Sequence, residues 1–545
     1  MKRRNLLFAV GLFVVASFAL AACAEAEPAD EKILTFAQSA DAGTLDPPNQ
    51  TSANSLAPAS HIYEGFVTFE PGTTNPVPAL ATSWEISDDG LEWIWHLREG
   101  VKFHDGTDFD ADAVVYNFER WWDLDHPYNQ GTDQFLYWGW MWEGRKQDGT
   151  DSVLASIEAV DDLTVKMMLN RPNASLLNTL TMENFRFASP AAIEEQGDNY
   201  GTAEGEAIGT GAFMVDEWLQ EDSITLARYD DYWGDAPTLD KIVYRVIPDT
   251  SAAFLALQAG DIDVLSMWAS PSPDDIDVAK SDPNLEVAYN PGFNVGYLGI
   301  NHDKEWLQNL NTRLAIAHAI DKQAIIDAIY PGDAIPNSQH VPQSLFGYND
   351  SIVDYPYDVD KAKEFLQTAI DEGVEIPDPV IFYVMPVSRA YYPDPAAIGE
   401  LMQAQLAELG INAEIQSPAW PDPYLTDLQT DGTKHDLFML GWVGDNGDPD
   451  NFLCSFFCGG DTTFNNDGAG GGAPPDEEIR ALLRDAVAET DFDTRVAMYE
   501  EINQMLFDRV ISVAVVTRTP PTLLRSDVSG YVPSPVREML TYMDK

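Results

Sequence analysis

Basic residues are scarce in this chain: 31 Lys and Arg stand against 89 Asp and Glu, for a formal net charge of −58. A surface of that sign repels phosphate backbones and anionic headgroups, so nucleic acid and bare lipid surfaces are excluded as partners. Solubility, or adaptation to a salty exterior, accounts for the acidity without an acid-specific function. Histidine is sparser, with eight residues and no pair at zinc-ligand spacing. Cysteine is rarer still, three residues, and zinc would need a fourth ligand that no further Cys or nearby His supplies. A G-x-S-x-G nucleophile elbow and a Gly-Lys-Ser/Thr phosphate loop are both missing. The Gly-rich run at 468–472 sits among Asn, Asp and Pro with no strand before it, and reads as a loop. No carboxylate pair stands out from so many acids. These absences argue against an enzyme and against a bound metal or cofactor.

What is present begins with a targeting segment. Lys2, Arg3 and Arg4 precede an apolar run from Leu6 to Leu20, shorter than the roughly 20 residues of a membrane span. The Leu20-Ala21-Ala22-Cys23 end resembles a bacterial lipoprotein signal, cleaved before Cys23 so that its thiol carries lipid. An uncleaved anchor is the alternative. Cleavage removes three positive charges and takes the net charge from −58 to −61. Residues 23–31 then form a tether. Cys454 and Cys458 remain as a close pair in an oxidising compartment, where a disulfide is the expected state.

The rest is globular, since 45% hydrophobic residues with 11% aromatics suit large cores, and the length allows two or three domains. The first half reads as hairpins: 84–97 around Asp88-Asp89-Gly90, 157–169 around Asp161-Asp162, and 211–228. From about Gly292 longer helices alternate with strands. A helix capped by Asn311 is expected to reach Tyr330, and strands at 380–384 and 411–415 flank a helix at 395–409, a crossover that predicts a largely parallel sheet. The residues after 517 read as irregular. The aromatic run Phe135 to Trp142 suits core packing, with a cleft lining as the alternative.

Two strand exits carry the candidate site. Leu437 to Gly441 is a short apolar strand that runs into a Gly/Asn/Asp/Pro turn, leaving Asp445 at its carboxyl end. Asp445, Asp448 and Asp450 crowd this turn, yet a calcium loop counted from Asp445 would have Gly447, Pro449 and Phe456 at ligand positions. Either Asp445 accepts a small cationic ligand or the turn is a capped surface loop. Arg389 follows the 380–384 strand, between Pro386 and Pro393 and beside Tyr391 and Tyr392. Arg grips carboxylates bidentately and stacks on aromatic faces, but a surface Arg paired with one of many acids is equally open.

With these residues in view, the chain resembles the extracytoplasmic solute-binding proteins, family 5, of peptide- and nickel-type ABC importers. The likeness rests on Ala81-Thr82-Ser83-Trp84, SDDGLEWIWHLREGVKFHDG at 87–106, Gly209-Thr210-Gly211-Ala212-Phe213, Tyr229 to Gly234 and Asn294 to Leu298. MPVSRAYYPDP (385–395) and GWVGDNGDPDNF (441–452) resemble the dipeptide-binding branch. The resemblance implies an α/β fold of two hinged lobes with mixed sheets and an extra β-rich subdomain. On that plan 1–22 is the signal peptide, 32–62, 205–290 and 518–545 form lobe I, 63–204 its added subdomain and 291–517 lobe II. It also implies that Arg389 holds a peptide carboxylate, Asp445 the amino group, and Trp442 sits beside the site. The implied partners are a small peptide, an ABC permease with its ATPase subunits, and the membrane through lipid on Cys23. A lipid-anchored extracytoplasmic monomer is the corresponding expectation. Oligopeptides, nickel complexes, opines or oligosaccharides are the alternative ligands, and an exported hydrolase the alternative class.

Overall fold

A computed structural model describes residues 31–129, 131, 135–269, 271–330, 332–430, 432–458 and 477–545. The apolar N-terminal run, Cys23 and the Gly-rich loop lie outside these residues. No described helix is long and apolar enough to cross a membrane.

The described strands divide into two large sheets, a four-stranded sheet and a two-stranded one. Ile33–Gln38 pairs in parallel with Lys241–Val246 inside a seven-stranded sheet that includes the hairpin Phe213–Leu219/Ser223–Arg228. A four-stranded antiparallel sheet holds the other two hairpins, Ala81–Ile86/Glu92–Leu97 and Leu154–Asp161/Thr164–Leu169. Its apolar face alternates inward as the period-two pattern demands, with Trp93, Trp95 and Leu97 buried on one strand.

The second half forms a six-stranded sheet in the order Ala334–Pro336, Ser512–Arg518, Asn294–Ile300, Leu437–Val443, Val380–Tyr383, Ala413–Gln416. Val380–Tyr383 is parallel to both of its neighbours, as the crossover requires, but the remaining pairs are antiparallel. The sheet is therefore mixed rather than largely parallel. The crossover fixes only the strands it joins, while Asn294–Ile300 and Ser512–Arg518 arrive from distant parts of the chain. Two further readings need correction. Asn309, not Asn311, caps Leu310–Ala319, and a separate helix, Lys322–Ile329, begins after its own cap at Asp321. After residue 517 the chain is not irregular throughout, since Pro521–Arg525 is a strand of the seven-stranded sheet.

That strand completes the connection between lobes. The chain crosses between Leu285–Tyr289 and Asn294–Ile300, and returns between Ser512–Arg518 and Pro521–Arg525. Asparagines tie the two crossings side by side. The Asn290 amide and Nδ2 both donate to the Pro520 carbonyl at 3.0 Å. Asn294 Nδ2 donates to the Arg518 carbonyl at 2.8 Å, and Arg518 N donates back to Asn294 Oδ1 at 3.0 Å. A pair of short cross-linked segments is the form a hinge takes.

Candidate functional site

Two strand exits far apart in the sequence become spatial neighbours through one pairing. Val380–Tyr383 and Leu437–Val443 lie side by side and parallel, with Tyr383 opposite Phe438. Both therefore release their chains at the same end of the sheet, where open α/β folds bind ligands. The loop after the first strand carries Arg389 and folds back across the second. Tyr391 covers Gly441 and Tyr392 covers Gly296 so closely that a Cβ on either glycine would lie under 3 Å from the ring. Tyr330 holds this loop by donating its hydroxyl to the Tyr391 carbonyl at 2.6 Å.

Arg389 is half-buried and its guanidinium stacks over Trp420, 4.8 Å from the ring centroid. The guanidinium makes no ion pair among the described residues and donates to the Ser388 carbonyl at 3.2 Å. The sequence suggested stacking on the adjacent tyrosines. Both are instead spent on packing, and the stacking partner comes from a separate loop.

The three carboxylates of the other exit take different roles. Asp448 turns inward as the cap of helix Pro449–Phe457 and receives a bidentate grip from Arg495 at 2.7 and 2.8 Å, with both side chains buried. Asp450 lies beside that pair, and burial together with the Asp448 charge pushes its carboxyl up to about 7. Asp445 stays at the turn without a cation among the described residues. Its Oδ2 accepts from Asn451 Nδ2 at 3.0 Å. Burial pushes this carboxyl up to about 6, opposed only by that one hydrogen bond. Trp442 is half-buried, edge-on to Phe456, and donates its indole N–H to Asn451 Oδ1 at 3.1 Å.

The Asp445 turn also touches segments from the first half of the chain. Asn178 Nδ2 donates to the Asn446 carbonyl at 2.7 Å, and Gly447, at φ +80°, presses against Thr74. The Asp445 charge helps to raise the Tyr137 hydroxyl well above its ordinary range, after burial. Within the aromatic run, Trp138 and Trp142 are core residues while Trp140 is exposed and Tyr137 faces the Asp445 turn. Cys454 and Cys458 are bonded to each other one helical turn apart, with Cα atoms 4.6 Å apart. Among the described residues the group close enough to hold a metal is Asp450 with these two cysteines, whose sulfurs are already committed.

The chain matches the family described as bacterial extracellular solute-binding proteins, family 5 Middle, over residues 75–464. It belongs to that family. It is 34% identical to the dipeptide-binding protein of Escherichia coli (strain K12) over 487 residues, 87% of each chain. It is 32% identical to heme-binding protein A of Haemophilus influenzae over 489 residues, 88% of this chain and 86% of that one. Among solved structures, it resembles an ABC transporter-associated periplasmic binding protein, DppA, of Helicobacter pylori in complex with peptide STSA. That likeness has a TM-score of 0.77 and 30% identity, covering 94% of this chain and 98% of the other. The two-lobed α/β architecture is thus the family's.

In this solute-binding protein, sequence reasoning missed Asn451, Trp420 and Arg495, and weighed Tyr137 only as one member of an aromatic run. Of the three missed residues Asn451 left a local signal, an amide of low helix propensity just ahead of Phe452 and Leu453 in its helix. The raised Asp445 carboxyl has a measurable consequence. A raised value means the folded chain keeps a proton that the unfolded chain has lost, so stability falls as pH climbs from the ordinary 3.8 to about 6. Asp445→Asn should therefore stabilise the ligand-free protein at pH 7 by on the order of 1–2 kcal/mol and have little effect near the ordinary carboxyl value. Urea denaturation at both pH values checks this; equal midpoints at pH 7 contradict the burial of that charge.

Proposed function

We propose that the protein captures dipeptides or short peptides as zwitterions between its lobes and hands them to an ABC permease. Asp445 receives the ligand ammonium, Arg389 its carboxylate, and Trp442 flanks the site. The observation that carries this reading is the placement of two opposite charges, neither ion-paired among the described residues, at the same end of adjacent parallel strands. A zwitterion enclosed in a cleft needs one partner for each terminus, because an unpaired charge there costs several kcal/mol. The spacing of the anchors then selects ligand length, each residue adding about 3.3–3.6 Å. Lobe I closes over the ligand about the crossings at Asn290–Asn294 and 518–520. Lipid on Cys23 holds the mature chain, a monomer, at the membrane outside the cytoplasm. The named peptide-binding relatives support the ligand class.

A thermal-shift series tests the reading, since a ligand that binds only the folded state raises its stability by about 2.7 kcal/mol at 100 times Kd. Free dipeptides should raise the melting temperature, and N-acetylated dipeptides at the same concentration should not, because acetylation removes the charge that Asp445 answers. Equal shifts for both would exclude end-to-end recognition. Hemin belongs in the same series, given the heme-binding relative, and a shift by hemin with none by dipeptides would reassign the ligand.

A further inference from the structure

Asp445 lies on a turn, where nothing in the strand ladder fixes a side chain. Its rigidity comes from Asn451, 1% exposed inside helix Pro449–Phe457. The Asn451 carboxamide makes three bonds. Its Oδ1 accepts from the Asp445 backbone N–H at 2.9 Å and from the Trp442 indole at 3.1 Å, and its Nδ2 donates to Asp445 Oδ2 at 3.0 Å. Two N–H donors on one oxygen decide which end of the amide is which, because a flipped amide would set its NH₂ against both. The helix carrying this amide is held in turn by the buried Asp448–Arg495 pair at its first turn.

Resting on the peptide-binding reading, we infer that Asn451 is a positioning residue that locks the Asp445 carboxylate and the Trp442 indole into one rigid recognition unit. The lock has a directional consequence. Asp445 Oδ2 is engaged by the amide, so Oδ1 is the oxygen presented to a ligand ammonium. The same hydrogen bond favours the charged carboxylate and opposes its burial. Asn451 therefore sets both where the anchor points and the pH at which it is charged.

The test measures Ala-Ala binding to the full chain by calorimetry between pH 5 and 8. Asn451→Ala should weaken binding about tenfold at pH 7, the scale of one hydrogen bond to a charged group. It should also move the acid-side midpoint of the affinity profile to higher pH. Asn451→Asp keeps the acceptor for Trp442 but opposes carboxylate to carboxylate, and should move that midpoint further. In an Asp445→Asn background the effect of Asn451→Ala should largely vanish, since the two act as one unit. Wild-type affinity and an unmoved midpoint in Asn451→Ala, with Asp445→Asn still damaging, would overturn the role of Asn451 and leave peptide binding intact. Failure of the wild type to take Ala-Ala would instead sink the peptide reading. A ligand-free measurement on the wild type stands in either case and needs no core variant to fold. The Trp442 indole N–H resonance, assigned with Trp442→Phe, should shift as Asp445 titrates, and an indifferent resonance overturns the lock.

Discussion

Asp445→Asn is expected to weaken the binding of a free dipeptide by about 2 kcal/mol or more, roughly 30-fold, the penalty for removing one partner of a buried charge pair. The substitution keeps the side chain's shape and an oxygen for the Asn451 donor, so the change reports charge rather than architecture. N-acetylated dipeptides, which bring no ammonium, should bind wild type and variant alike. The wild-type affinity should itself fall below about pH 6, where the Asp445 carboxyl, raised by burial, takes up its proton. The ligand ammonium meets a neutral acid there, and the contact loses its ionic character. Calorimetry at pH 7 reads the first effect, and a titration series down to pH 5 reads the second. Unchanged affinity in the variant would remove Asp445 from the site.

The second large effect concerns stability. Arg495→Met should destabilise the protein by about 3–5 kcal/mol, because it strands the Asp448 carboxylate, 1% exposed, without its cation. The same change removes the hydrogen bond from Arg495 Nε to the Ala486 carbonyl at 2.8 Å. Asp448→Asn combined with Arg495→Met should recover much of the loss, since no buried charge is then left unpaired. Denaturant unfolding of both variants distinguishes the cases. A cost below about 1 kcal/mol for the single change would mean that water reaches Asp448 after all. Because this pair seats the helix that carries Asn451, the single variant should also lose dipeptide affinity, with the double variant intermediate.

The hairpins were legible because turn residues such as Asp88-Asp89-Gly90 and the flanking alternation of Trp93, Trp95 and Leu97 act over a few residues. The exits at Asp445 and Arg389 were equally visible, as apolar strands running into turn chemistry. Family motifs in those two stretches suggested that they act together. The single helix expected through residue 330 failed because apolar periodicity continues across the break at Ile320-Asp321, where a second cap interrupts the backbone.

By itself, the sequence determined most of the strands and helices and which charged side chains stand at the two strand exits. These are short-range matters of backbone sterics, periodicity and capping. The tertiary structure alone decided which of three crowded carboxylates is neutralised. Arg495, 47 residues beyond Asp448, chose that one, leaving Asp445 with the Asn451 amide as its partner and no cation among the described residues. It likewise decided that Val380–Tyr383 lies parallel to Leu437–Val443 and so brings Arg389 to the same edge. Strand partners and buried ion pairs are selected by the desolvation and packing of groups far apart along the chain, and no local pattern encodes that choice.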